Sequence, residues 1–496
     1  MGSKENIILV YPQKNTRLFG IPFGIAYIGA VLRDSGYRIS IVDMRYEDEK
    51  VLFSKLRELS PDILGFYSSS EIAPYVVSLA NRIREEFNDT VMIVGGPHAT
   101  IDPHYFLRSN FDIVVKGEGE ITTKEAVKAI RQKSDFKNIR GISYRLNGNI
   151  FDNPSREFIE NLDDLPFPAF DLFTHIKDTF REGFTWTNLR PFTHVILSRG
   201  CPHQCTFCQP TLSMIFGKKV RRLSPHRAIE LLTFLKQKYN IREMLFEDDL
   251  LLSRTWKDWL IELTDLIIKH NLNIRWIAQV RANSSDKDIL IQAKKAGCYM
   301  VMCGVESGSQ KTLDFYNKAI TPENVRSFFK LCNELELMSV AQIIFGAPEE
   351  SLEDARATID LVKEVQPDIT WAAPLTPYPG TYLTKWLTEH NVKFETDLTK
   401  IDRGMRERKI DSVMSDDQIL AARLRVDRQA VVLKKVIFKS YYRKVYLDKI
   451  NNLIADGQYI ELFKLLYWTF RLAVTNPLRQ LYFRCYDDRP QKKSTL

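Results

Sequence analysis

SRGCPHQCTFCQP, residues 198–210, places three thiols at Cys201, Cys205 and Cys208 in a Cys-x3-Cys-x2-Cys spacing. The run that leads into it, THVILS (193–198), reads as a strand, so the thiols fall on a loop at a strand end. Such a loop can wrap three irons of a cubane 4Fe-4S cluster, because thiolates are the soft ligands that iron–sulfur clusters need. Three ligands rather than four leave one iron open to chelate a substrate. A zinc site with His203 as the fourth ligand is the alternative, although zinc ligands usually come as paired Cys-x-x-Cys units. No cysteine precedes Cys201, and Cys298, Cys303, Cys332 and Cys485 are scattered. An odd number of cysteines with one tight group points to metal binding in a reducing, cytoplasmic setting rather than to a disulfide framework.

Downstream of the cysteines the strand signal recurs in EMLFED (243–248), NIRWIAQV (273–280), YMVMCGV (299–305), SVAQIIFG (339–346) and DITWAAP (368–374). Amphipathic stretches such as HRAIELLTFLKQKY separate them, which predicts six βα units in a partial barrel. Barrel chemistry gathers at the C-terminal ends of strands, here flanked by Cys201, Glu247, Arg281, Glu306 and Pro348.

Upstream, NIILVY (6–11), RISIVDM (38–44), DILGFYS (62–68), VMIVGGP (91–97) and FDIVVKG (111–117) alternate with helical patterns, as in a doubly wound, Rossmann-like parallel sheet. The Asn147-Gly148 pair predicts a tight hairpin, and the Pro- and Asp-containing stretch 161–173 reads as linker. The resulting division is 1–150 for the first α/β domain, 151–190 for a linker, 191–395 for the barrel and 396–496 for a mostly helical, basic region.

At 496 residues the chain exceeds a single core, and 44% hydrophobic against 27% charged residues is the balance of a folded globular protein. No apolar run reaches the length of a membrane span, and the start reads as neither a signal peptide nor a myristoylation site. The net charge of +8 arises in residues 431–496, which hold 13 Lys and Arg against 5 Asp and Glu. That aromatic, basic tail suits peripheral contact with a membrane or a large apolar substrate; helices packed on the barrel are the plainer explanation. No nucleic-acid-binding motif accompanies the charge.

The cysteine loop, its place after the first strand of a βα series and Phe207 before the last cysteine resemble the radical S-adenosylmethionine superfamily. The resemblance implies that the open iron binds the methionyl group of S-adenosylmethionine and that reduction releases a deoxyadenosyl radical. It also implies that an acidic pair, Glu247 and Asp248 in FEDDLLL, meets the methionyl amino group, unless this is a solvated turn. Arg281 would pair with the methionyl carboxylate or form a surface salt bridge, and Glu306 in GVESGS would reach the ribose or methionyl part. Gly346 in FGAPEES and Tyr378 in TPYPGT would line the adenine pocket, or serve only as turns.

Residues 1–150 resemble the cobalamin-binding domain that precedes the barrel in one subgroup of that superfamily. The matching positions are Ser68 in SSS, Gly95, Gly96 and His98 in VGGPHAT, and Gly117 and Glu118 in KGEGE. The resemblance implies cobalamin at the strand ends, where two glycines permit close backbone approach to a flat macrocycle. The Asp-x-His-x-x-Gly motif that ligates cobalt in other cobalamin domains is missing after the first strand. What the resemblance implies in function is radical methylation of an unactivated carbon in a small-molecule or lipid-like substrate, with flavodoxin or ferredoxin as electron donor. The alternatives are an oxidative ring-forming enzyme of the tetrapyrrole cyclase type and a cobalamin or redox sensor without catalysis.

Overall fold

Short β-branched runs bounded by turn residues become the strands of two sheets, and the amphipathic stretches between them become the helices that cover those sheets. The computed structural model describes residues 6–12, 20–181, 189–284 and 286–401, with a few positions beyond, among them 410, 412–415 and 418–419. The basic segment 431–496, and with it the expectation of a membrane contact, lies outside these residues apart from single positions. Among the described residues no helix is long and apolar enough to cross a membrane.

The first sheet contains β1 (Asn6–Tyr11), β2 (Arg38–Asp43), β3 (Ile63–Tyr67), β4 (Val91–Gly95) and β5 (Ile113–Val115). They run parallel in the order β2-β1-β3-β4-β5. The chain therefore winds outward in both directions from β1 and β3, leaving a crevice at their C-terminal ends. Side chains alternate across the sheet: Ile7 and Leu9 enter one core, Ile8 and Val10 the other. Each such buried aliphatic side chain contributes about 1.5–3 kcal/mol. The hairpin β6 (Ile142–Leu146) and β7 (Asn149–Asp152) adds antiparallel strands at the β5 edge. Its turn residues Asn147 and Gly148 have φ of 51° and 80°, as a two-residue hairpin turn requires.

The following stretch is packed rather than free. Leu162, Leu165, Phe170 and Phe173 are buried, and Ala169 N donates to Ala26 O at 3.1 Å, fixing the stretch against the first helix, Phe23–Asp34.

The second sheet is built from β8 (Phe192–Val195), β11 (Glu243–Phe246), β12 (Arg275–Val280), β13 (Cys298–Glu306), β14 (Met338–Phe345) and β15 (Ile369–Pro374). These six strands are parallel and adjacent in chain order, the half-barrel that the alternation predicts. One strand differs from its sequence pattern. THVILS does not run through: β8 stops at Val195, and β9 (Ser198–Arg199) pairs with β10 (Arg221–Arg222) as a separate antiparallel ribbon. The chain departs because Asp248 draws it away from the sheet, its Oδ1 accepting from Leu197 N at 3.0 Å and from Ser198 Oγ at 2.5 Å. Cys298 and Cys303 on β13 and Cys332 on a helix are fully buried among apolar side chains.

Candidate active site

Gly200 turns the chain from β9 into the cysteine loop. Its φ is +99°, and a Cβ there would collide with the Lys219 carbonyl, so the position demands glycine. Within the loop, Cys208 N and Gln209 N donate to Cys205 O at 3.1 and 2.9 Å, giving the second half a helical turn. The barrel grips the loop from outside: Thr206 N donates to Tyr316 O at 2.9 Å, and Asn317 Nδ2 to Gln204 O at 3.0 Å. Phe207 lies edge-on to Tyr316 with ring centroids 5.4 Å apart. Among the described residues no three Cys, His, Asp or Glu side chains gather as ligands of a single metal ion. The donor set is instead three separate thiols on one loop, the chemistry of an iron–sulfur cluster with one iron left open. Burial, with Asp249 and the other thiols nearby, pushes Cys208 up to about 12, and burial raises Cys201 as well. Those thiols lose their protons only against a compensating positive charge such as bound iron supplies.

Around this loop the strand ends bring Glu247, Asp248, Arg281 and Glu306 together. Glu247 contacts His194 Nδ1 and faces a cavity, as does Asp249, whereas Asp248 is turned inward to brace the ribbon. Asp249 joins the site beside the expected Glu247, and strand-like alternation accounts for it, putting residues 247 and 249 on one side and 248 on the other. Arg281, at the end of β12, is buried with Nη1 3.8 Å from Cys205 Sγ. Glu306 holds a left-handed backbone, φ 60°, at an irregularity of β13, and its carboxylate receives the buried Lys318 ammonium at 2.6 Å. Lys318 is a second residue that the sequence reading missed, and it carried no local signal. Gly346 N donates to the buried Glu350 at 2.5 Å, and burial pushes that carboxyl up to about 7. The Tyr378 hydroxyl donates to Glu71 Oε1 at 2.8 Å, tying the end of the half-barrel to the first domain.

Asp248 supplies a pH-dependent element. Burial pushes its carboxyl up to about 7, against the opposing hydrogen bonds from Leu197 and Ser198. A carboxyl raised by folding gives its full stability only below its unfolded value near 4 and loses it as pH rises through about 7. Asp248→Asn keeps the Oδ1 acceptor and cannot ionise. Between pH 4 and 7 the urea midpoint of the cluster-free variant is therefore expected to fall less than that of the cluster-free parent. Parallel declines would show that Asp248 does not titrate in that window.

Of the first-domain positions, Gly95, Gly96, Gly117 and Glu118 line a mostly apolar cavity of about 380 Å³. Phe23 and Tyr27 form another wall of it, and Ser198, Arg199, Ile215, Phe216, Glu247 and Asp249 close it from the barrel side. Ser68 and His98 stand behind that wall. Ser68 N donates to Gly95 O at 2.8 Å, and its carbonyl accepts from His98 N at 3.2 Å. The His98 ring is buried edge-on against Tyr105 and Phe106, its Nδ1 3.1 Å from Ser70 Oγ, and desolvation lowers its pKa. Gly96, φ +106°, approaches Ser68 so closely that a Cβ would lie 2.7 Å from its carbonyl oxygen. Apolar walls at the strand ends of an open α/β sheet fit a flat macrocycle. Among the described residues no histidine lines the cavity.

Cavity and cysteine loop share one set of ion pairs. Arg199, two residues before Cys201, donates to Glu118 at 2.9 Å and to Glu120 at 2.6 Å, all three side chains at most 10% exposed. Arg221, opposite Arg199 on β10, donates to Glu118 Oε2 at 2.8 Å and to Ile159 O at 2.6 Å. The KGEGE segment is thus fastened to the strand that delivers the first cysteine.

Comparison with known proteins agrees with this arrangement. Residues 14–127 match the B12 binding domain family and residues 195–362 the Radical SAM superfamily. An uncharacterized methyltransferase of Pyrococcus horikoshii is 32% identical over 451 residues, 88% of this chain and 95% of the relative. The anaerobic magnesium-protoporphyrin IX monomethyl ester cyclase of Rubrivivax gelatinosus is 27% identical, covering 80% of this chain and 72% of its own. Among solved structures, the cobalamin-dependent S-adenosylmethionine radical enzyme OxsB superposes with a TM-score of 0.70 at 16% identity, over 98% of this chain and 76% of that one. With both families matched in order along one chain and a relative 32% identical over most of its length, the chain belongs to the radical S-adenosylmethionine proteins that carry a B12-binding domain before the barrel.

Proposed function

We propose that this protein is a cobalamin-dependent radical methyltransferase acting on an unactivated carbon of a small molecule. The observation that carries this reading is the cavity walled by both domains, with Gly95, Gly96 and Gly117 on one side and Ser198, Glu247 and Asp249 on the other. A methyl-carrying macrocycle on the first sheet would thereby face the space served by the cysteine loop. When bound, the cluster supplies the electron that splits S-adenosylmethionine and cobalamin supplies the methyl group. Residues 1–150 and 191–395 are assigned as the two cofactor-binding units. Cys201, Cys205 and Cys208 hold the cluster, with a reduced flavodoxin or ferredoxin as electron donor. Glu247 and Asp249 offer acceptors to an ammonium or hydroxyl group in the cavity, and Phe23, Tyr27, Ile215 and Phe216 keep water from a carbon radical.

By-products test the reading. Turnover of a true substrate by anaerobically reconstituted protein with cobalamin is expected to yield S-adenosylhomocysteine and 5′-deoxyadenosine in near-equal amounts, with the substrate heavier by one methylene. Deoxyadenosine alone, with a substrate that lost hydrogen or gained oxygen, would replace methylation by oxidative ring formation. No deoxyadenosine from cluster-loaded protein would leave only a sensor.

A further inference from the structure

We propose that Arg281 donates a hydrogen bond to the Cys205 sulfur of the assembled cluster and thereby raises its reduction potential, a role separate from any contact with S-adenosylmethionine. The inference rests on the iron–sulfur assignment of the three cysteines. Arg281 is 5% exposed, its Nη1 is 3.8 Å from Cys205 Sγ, and its Nε donates to Asn283 Oδ1 at 3.2 Å. Among the described residues no carboxylate pairs with it. Lys318, the other buried cation here, is 2.6 Å from Glu306, so that pair is neutral as a unit. Arg281 is then the net positive charge on the Cys205 side, and a guanidinium does not shed its proton. A buried, unpaired guanidinium requires a counter-charge, and a cluster held by thiolates is anionic.

The guanidinium N–H stands at Cys205 Sγ, so this sulfur is the corner at which Arg281 favours an added electron. Reduction adds one electron from the donor and breaks no bond, and the state that gains negative charge is the one that a cation and an N–H donor stabilise. Hydrogen bonds to cluster sulfurs and net charge are among the levers that set such potentials.

The test is a redox titration of anaerobically purified protein, poised with dithionite and followed by the electron paramagnetic resonance of the reduced cluster, without S-adenosylmethionine. Arg281→Met is expected to lower the equilibrium constant for reduction at least tenfold, about 59 mV in midpoint for one electron. Arg281→Lys keeps the charge but loses the directed N–H and is expected to fall between the two. An unchanged midpoint in either variant that retains its cluster overturns the proposal. If S-adenosylmethionine affinity drops while the midpoint stays, Arg281 serves the methionyl carboxylate instead. Failure of the underlying assignment shows separately, as parent protein without cluster iron or signal.

Discussion

Alanine at Cys201, Cys205 or Cys208 is expected to reduce the iron of anaerobically purified protein from about four per chain to near background and to abolish 5′-deoxyadenosine formation. Cys201, Cys205 and Cys208 are the three thiols of the one loop that follows the first strand of the half-barrel. Cys298 and Cys303 are fixed in β13 and Cys332 in a helix, all three fully buried, so none is expected to take the place of a loop thiol. Two remaining thiolates would leave two irons open to water, and the cubane would be lost on isolation. Full iron content in all three variants would remove the cysteine loop from the mechanism.

Glu118→Ala is expected to destabilise the protein by about 3–5 kcal/mol, the cost of leaving a buried charge without its partner. Glu118 is the carboxylate shared by Arg199 and Arg221 and also accepts from Ile159 N at 2.8 Å. Arg199 would keep Glu120, but Arg221, with its side chain 3% exposed, would be left with the carbonyls Ile159 O and Phe216 O and the Phe158 ring, and with no carboxylate among the described residues. Neither guanidinium can relieve the strain by losing a proton. Because Arg199 leads into Cys201, iron retention should fall together with the denaturant midpoint. The Arg57–Glu86 pair, with its side chains 61% and 41% exposed, is the control: Glu86→Ala should leave the midpoint unmoved within error. Equal, small shifts in the two variants would show that the interdomain pairs are not a clamp.

Both sheets were legible in the sequence, since runs such as NIILVY and YMVMCGV have the length and β-branched content of buried parallel strands, and Asn147-Gly148 has the residues of its turn. The cysteine loop was legible for a similar reason. Its three candidate ligands fall within eight consecutive residues, so their spacing points to metal binding. The readings that shifted concern direction and partnership. FEDDLLL announces acidic residues at a strand end, yet only the fold shows that Asp248 turns back to hold Leu197 and Ser198 while Asp249 meets the cavity. Tyr378 and Glu71 are 307 positions apart, and Glu118 and Arg221 are 103 apart. No local pattern encodes such pairs. The order of strands and helices and the thiol set can be read from the residues in line, because backbone periodicity and ligand spacing are short-range properties. Which carboxylate faces the cavity, which is taken up by arginine, and that Lys318 and Arg281 stand beside the cysteines emerge with the folded packing, because the energy of a buried charge depends on whatever lies within a few ångströms of it.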